Sequence, residues 1–162
     1  MYARVVSSVL FAFLLLSCGT PVTQLVAVVD TDLGVPDQVA RIRVRSLRAD
    51  ADVEEELSSV TVELTAGTSL PIAVAVEPFD AMDIGRVIIE AEAQSEAGLR
   101  LVAQRATTEF REGEQLAVPF LLRDSCRRVN CPANDTCGDM GCRSQEVPVG
   151  ELRSFEGTLD AP

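Results

Sequence analysis

The sequence predicts an all-β protein: an antiparallel two-sheet sandwich of about seven strands, followed by a small disulfide-stapled module. Between residues 22 and 122, apolar and polar side chains alternate with a period of two, and Val and Ile are frequent. Beyond residue 122, four cysteines fall within seventeen residues. Because a period of two puts the apolar side chains of a strand on one face, two such sheets can bury these faces against each other.

The clearest strand is residues 40–45, where Arg41, Arg43 and Arg45 alternate with aliphatic side chains. Turn-rich stretches separate it from six further segments of strand character, namely 25–29, 60–65, 72–76, 86–92, 99–103 and 116–122. Pro119 indicates that the last of these runs along a sheet edge, where a missing N–H costs least. Only residues 50–57 have helical character.

The predicted sandwich resembles immunoglobulin-like and fibronectin-like modules, or a related Greek key, in its number of strands. A transthyretin-like strand order is equally compatible with the pattern. Residues 22–122 hold no Trp, Tyr or Cys, so the immunoglobulin hallmark residues are absent from the predicted sandwich. The pattern therefore predicts the architecture and leaves the order of strands open.

The first seventeen residues have the composition of an export signal. Arg4 precedes an apolar run over residues 5–16, and small residues follow it. These twelve residues are well short of the roughly 20 that a membrane-spanning helix needs. Residues 1–17 are therefore predicted to be a cleaved signal peptide.

The end of this segment resembles the lipobox of bacterial lipoproteins, whose four places are filled here by Leu15, Leu16, Ser17 and Cys18. The resemblance implies that Cys18 carries lipid and becomes the mature N-terminus, with 18–21 as a linker. Gly19 stands where Asp retains many lipoproteins at the inner membrane, which favours the outer membrane. Plain secretion and a chance apolar N-terminus are the alternatives.

The cysteine-rich segment, residues 123–143, contains Cys126, Cys131, Cys137 and Cys142. In an exported chain this even set indicates two disulfides, and three pairings are possible. The spacing resembles the first half of an EGF-like module, which implies Cys126 with Cys137 and Cys131 with Cys142. Zinc is disfavoured because structural zinc sites use closer pairs of reduced thiolates.

Two surface features are candidate binding sites. Asp30, Asp32 and Asp37 begin like a calcium loop but lack the EF-hand pattern, so a weak calcium site competes with a solvated acidic turn. Arg41, Arg43 and Arg45 form a basic stripe that could hold an acidic polymer. Pairing across the sheet with the carboxylates of residues 54–56 or 63 is the favoured interpretation of that stripe.

The composition excludes most catalytic classes. All fourteen basic residues are Arg, and the chain has no His, Lys or Trp, so imidazole and amine chemistry is missing. The formal charge of −11 argues against nucleic acid as a partner. The sequence therefore predicts a protein that is not an enzyme and has no cofactor, apart from the weak calcium candidate.

Residues 144–162 show no period and are predicted to be a flexible tail, although Val147, Val149, Leu152 and Phe155 could dock on the sandwich. The whole layout resembles lipoproteins of unassigned activity from high-GC Gram-negative bacteria of the myxobacterial type. The resemblance implies a lipid-anchored, extracytoplasmic module of the cell envelope that binds an envelope protein or a surface polymer. The alternative is a structural subunit of a larger envelope or secretion assembly.

Overall fold

The computed structural model describes residues 22–49, 54–79 and 85–158, which form two four-stranded sheets and one two-stranded hairpin. The predicted signal peptide and linker, residues 1–21 including Cys18, lie outside the described residues. The two larger sheets are the layers of a sandwich, and their inner faces share one apolar core. The predicted fold class, an all-β sandwich followed by a disulfide-stapled segment, is confirmed.

The first sheet has its central pair at β1 (Gln24–Thr31) and β7 (Gln115–Leu122), which run parallel to each other. On the other side of β1 lies β4 (Ile72–Val76), antiparallel to it. The two-residue strand β10 (Arg153–Ser154) pairs with β7, so the sheet has the order β10-β7-β1-β4.

The second sheet is antiparallel throughout and has the order β3-β2-β5-β6. Its strands are β2 (Arg41–Arg48), β3 (Glu56–Glu63), β5 (Arg86–Gln94) and β6 (Arg100–Glu109). The third, small sheet is a hairpin of β8 (Asp135–Gly138) and β9 (Gly141–Ser144). The seven strands predicted from the alternation all exist.

The core follows directly from the alternation within each strand. Leu25, Ala27 and Val29 point inward from β1 and are fully buried, and Ile42 and Val44 do the same from β2. β-branched side chains have few rotamers to lose on burial, which suits them to a flat, close-packed layer. The result is a core that is almost wholly aliphatic.

The order of strands differs from that of an immunoglobulin constant domain. There the first, second, fourth and fifth strands share one sheet. Here β1, β4 and β7 share one sheet, and β2, β3, β5 and β6 share the other. The difference arises from the parallel pairing of β1 with β7, which places Leu25 opposite Leu116 and Val29 opposite Phe120.

The predicted edge position of the last strand is wrong for β7 as a whole, because β7 lies between β10 and β1, and it holds only locally at Pro119. β10 pairs with β7 only at Leu116 and Ala117, so β7 has no strand on that side at Pro119. Two residues further, the Leu121 N–H donates to the Gln104 side-chain oxygen at 3.0 Å. This edge of β7 therefore has no backbone N–H free to receive another strand at these two positions.

The predicted helical character of residues 50–57 is wrong for Glu56 and Leu57, and residues 50–53 lie outside the described part of the chain. Glu56 opens β3 and pairs with Leu47 across a bulge in the register between β2 and β3. Pairing with β2 overrides the local helical preference of an acidic run, because strand formation depends on the neighbouring strand.

The prediction of a flexible tail is wrong for residues 144–155. The Thr107 N–H donates to the Gln145 carbonyl at 2.7 Å, and the Val147 N–H donates to the Thr107 carbonyl at 2.9 Å. Val147, Val149 and Leu152 pack against the core, as the docking alternative expected, before β10 joins the first sheet. The segment has no period because it contacts the sandwich at single residues rather than through one long element.

Candidate functional site

The basic stripe on β2 lies on the outer face of the second sheet, and each of its guanidinium groups already has a carboxylate. Arg41 pairs with Glu63 at 2.7 Å and Arg43 with Glu56 at 2.8 Å. Arg45 reaches Glu90 at 2.6 Å. The favoured interpretation, pairing across the sheet, is confirmed.

Glu90 is the centre of this network. It lies in the middle of β5 and is only 1% exposed. One of its oxygens accepts hydrogen bonds from Arg45, and the other accepts a hydrogen bond from the Arg105 Nε at 2.6 Å. Arg105 continues to Glu54, with its Nη2 donating at 3.1 Å. A buried carboxylate is tolerated here because two cations satisfy both of its oxygens.

The charges of the network reinforce each other. Burial opposes the charged form of Arg105, but the hydrogen bonds to Glu54 and Glu90 outweigh it and raise the pKa of this guanidinium. The hydrogen bond from Arg105 lowers the pKa of Glu54. The outer face of the second sheet is thus a set of internal ion pairs, and an acidic polymer would have to displace carboxylates to bind it.

The cysteine-rich segment is held by two crossed disulfides, Cys126–Cys137 and Cys131–Cys142. These are the pairs that the EGF-like resemblance implies. The two bridges have different environments: Cys126 and Cys137 are buried in the sandwich core, whereas Cys131 is half-buried against the core and Cys142 is exposed. The first bridge therefore lies within the core, and the second runs from the edge of the core to the surface.

The segment is docked along β6 and is not a separate module. The Arg105 N–H donates to the Thr136 hydroxyl at 2.9 Å. The amide nitrogen of Gln104 donates to the Cys137 carbonyl at 2.6 Å. Gln104 is 3% exposed and points inward from β6, at a place in the alternation where an apolar residue is expected. This polar exception is the one sequence signal of the contact, and the strand pattern alone does not reveal it.

A groove of about 810 Å³ lies between the docked hairpin and the open end of β7. The apolar part of its wall comes from Val28, Pro119, Leu121 and Met140, and the Met140 side chain is fully exposed at the hairpin tip. The polar part comes from Asp30, Gln104, Asp139 and Arg143. Asp139 is fixed by an ion pair with Arg123 at 2.7 Å. No sequence pattern predicted this groove.

The three Asp residues proposed as a weak calcium site do not form a ligand set. Asp30 accepts a hydrogen bond from the Thr31 N–H at 2.8 Å, and Asp32 accepts one from the Asp124 N–H at 2.6 Å. Asp37 is exposed in the turn before β2. Among residues 22–49, 54–79 and 85–158, no three acidic, Cys or His side chains are grouped closely enough to hold a metal ion.

Comparison of the chain with protein-family models, curated proteins and solved structures finds no match. In the described residues, no helix has the length and apolar character required to cross a membrane.

Glu90→Ala should lower the free energy of unfolding by about 3 kcal/mol, because it removes the buried carboxylate between two partly buried guanidinium groups and leaves Arg45 and Arg105 only their exposed partners, Glu56 and Glu54. Urea unfolding followed by circular dichroism measures the loss. Glu55→Ala is the matched control, since Glu55 forms an exposed pair with Arg48 and its removal should cost less than about 1 kcal/mol. Equal costs for the two variants would contradict the central role of Glu90.

Glu54→Gln should destabilise the protein at about pH 7, and this effect should shrink as the pH is lowered into the acid range. The pKa of Glu54 is lower in the folded state, so its ionised form adds stability above the unfolded-state pKa. That contribution disappears as the pH falls through the folded-state pKa. The urea midpoint of wild type and variant, measured across this range, tests the sign. Glu96→Gln, which removes an exposed carboxylate in the β5–β6 turn, is the matched control and should change the urea midpoint at about pH 7 less than Glu54→Gln does.

Removing the buried disulfide should cost more than removing the exposed one. Both bridges join residues 11 apart, so the loop-closure contribution is the same for each, about 3 kcal/mol. Replacing both Cys126 and Cys137 by Ala also leaves a gap in the core, which adds about 1–2 kcal/mol. Urea unfolding of this variant and of the Cys131→Ala/Cys142→Ala variant makes the comparison. Equal stabilities would show that the core contact of the first bridge contributes nothing.

Proposed function

We propose that this protein is a non-catalytic, lipid-anchored lipoprotein of the bacterial cell envelope, and that its globular part is a binding or adhesion module. The lipobox-like residues Leu15 to Cys18 support anchoring through lipid on Cys18. The two disulfides support an oxidising, extracytoplasmic compartment. The outer membrane is the favoured location because Gly19 follows the lipidated residue.

The groove beside the hairpin is the observation that carries the binding function. Binding sites are typically concave, largely apolar and already formed before the ligand arrives. Here the two disulfides and Gln104 hold the hairpin wall in place, so little ordering is needed on binding. The proposed partner is an apolar segment of an envelope protein, because Met140 and Leu121 offer adaptable apolar contact.

The chemistry of the groove supports binding rather than catalysis. Its titratable side chains are Asp30, Asp139 and Arg143. Asp30 already accepts a hydrogen bond from the Thr31 N–H, and Asp139 is already paired with Arg123. The chain has no His or Lys to act as a base or nucleophile near neutral pH. The charged groups at the rim would orient a partner rather than transform it.

A structural subunit of a larger envelope assembly is the second candidate function, and the open edge of β3 favours it. A subunit of a stable assembly remains with fixed partners after gentle solubilisation, whereas a standalone binding module migrates alone or with one transient partner. Native electrophoresis of solubilised envelopes separates the two functions.

The anchor is tested with Cys18→Ser in cells that express the full-length chain. Wild type should incorporate an acyl-chain label and sediment with membranes, and the variant should lose both properties because the thiol that carries the lipid is gone. Ser17→Gly, which keeps a small residue before the cysteine, should behave as wild type. Membrane association of unlabelled Cys18→Ser protein would contradict the proposal.

The groove is tested with a photo-crosslinking amino acid at Met140 in living cells. A discrete crosslinked envelope protein is expected, and Leu121→Arg should abolish it by placing a charge in the apolar wall. The same probe at Leu99, which is also exposed but lies in the β5–β6 turn, is the control. The same product from both positions, or a product unaffected by Leu121→Arg, would rule the groove out as the binding site.

A further inference from the structure

The second sheet has one protected edge and one open edge. At the β6 edge, Thr136 and the segment around Val147 satisfy backbone groups of Arg105 and Thr107. At the opposite edge, β3 has β2 on one side and no hydrogen-bonded strand from the described residues on the other. An unpaired row of backbone N–H and C=O groups is a template for another strand.

The register with β2 determines which backbone groups of β3 are free. The Leu64 N–H donates to the Ala40 carbonyl at 2.8 Å, and antiparallel pairs alternate between hydrogen-bonded and non-hydrogen-bonded. Val62 and Val60 lie two and four residues before Leu64, so their backbone groups also point toward β2. Those of Ser59, Thr61 and Glu63 point outward.

The middle of this edge is less protected than the open end of β7. The bulge and Glu56 lie at the start of β3 and Glu63 lies at its end, but residues 57–62 contain no Pro and no charged side chain. The open end of β7, by contrast, has Pro119 and the Gln104 contact. Val60 and Val62 are only half-buried, so an added strand would cover apolar surface that the sandwich leaves accessible.

We propose that β3 pairs with β3 of a second copy of this chain, antiparallel and about a two-fold axis at Thr61. The two four-stranded sheets then join into one continuous sheet across the axis. A two-fold interface uses the same surface on both copies, so the strand has to be complementary to itself. The inference is independent of the groove and of the lipid anchor.

The positions of the glutamates on β3 determine which residue can lie on the two-fold axis, and they favour Thr61. The bulge shifts the pairing before Ser58, so beyond it only Ser59, Thr61 and Glu63 have outward-pointing backbone groups and can lie on the axis. With Ser59 at the centre, Glu63 of the second copy meets the acidic run of residues 54–56, and with Glu63 at the centre two identical carboxylates face each other. Both registers bring like charges together, which destabilises a sheet.

The Thr61 register is complementary on both faces of the sheet. On the inner face, Val60 lies opposite Val62 of the second copy, an apolar pair of the kind that stabilises strands. On the outer face, Glu63 of the second copy lies opposite Ser59. The Ser59 hydroxyl accepts a hydrogen bond from Arg43 Nε at 2.9 Å, and Arg43 also pairs with Glu56, while Glu63 keeps its own pair with Arg41. The Thr61 register therefore places two ion pairs side by side and sets no lone carboxylates against each other.

The proposal is tested by introducing one cysteine into the full-length chain in cells and analysing envelopes on non-reducing gels. Thr61→Cys should give a reducible homodimer, since the two Cα atoms of a hydrogen-bonded pair lie about 5.5 Å apart, within disulfide range. Thr65→Cys is the matched control at the same edge. Its two copies would be about 27 Å apart along the strands and should stay monomeric.

The register is tested by co-expressing Ser59→Cys and Glu63→Cys chains with different tags. Each variant alone should give no disulfide-linked dimer on non-reducing gels, and together they should form only the mixed dimer.

Thr61→Lys, which puts two cations on the axis, should abolish the native dimer of the full-length chain in detergent, so that the measured mass of the protein falls by half. Its circular dichroism should match wild type, because Thr61 is exposed.

The result that overturns the proposal is a monomeric wild-type chain with no Thr61→Cys dimer. Equal crosslinking at Thr61 and Thr65 would also overturn it, since that indicates random collision. A Ser59→Cys homodimer would show pairing in the register that charge disfavours and would exclude the Thr61 axis.

Discussion

A single buried amide, that of Gln104, connects the three parts of this molecule. Its nitrogen donates to the hairpin at Cys137, and its oxygen accepts from β7 of the first sheet, while its own backbone belongs to β6 of the second. A buried amide that is fully used stabilises one arrangement, and leaving either partner unsatisfied would cost about 1–3 kcal/mol. The position of the hairpin, and with it the groove, depends on this side chain.

On the outer face of the second sheet, ion pairs satisfy the charged side chains in the same way as hydrogen bonds satisfy Gln104. Arg41, Arg43 and Arg45 of β2 and Arg105 of β6 each pair with a carboxylate of this strongly acidic chain. The desolvation penalty of the buried Glu90 carboxylate is compensated only when both neighbouring strands, β2 and β6, are in register and bring Arg45 and Arg105 to it. The network therefore favours correct register more than it contributes net stability.

The alternation of side chains was sufficient to predict the seven sandwich strands, because period two reports which face of each strand is buried. It could not predict the order of strands. The pairing of β1 with β7 joins Gln24 to Gln115, and nothing local to either strand encodes it. The groove and the docked segment were missed for the same reason: both are formed by single residues from distant parts of the chain, such as Gln104, Val147 and Met140. The acidic run before β3 was misjudged because its strand depends on β2.

The parallel pairing of β1 and β7 has a consequence for the order in which the fold assembles. During synthesis from the N-terminus, β1 is made first and can pair with β4 once residue 76 has been made, but its parallel partner β7 follows only 91 positions after it. The second sheet needs only neighbouring hairpins and the β2–β5 contact, all complete once β6 has emerged. Contacts that are close in sequence form faster than distant ones. We therefore expect the charged sheet to serve as the template on which the first sheet closes, and pulsed hydrogen exchange should protect β5 and β6 before β1. The strand nearest the N-terminus would then be among the last to become ordered.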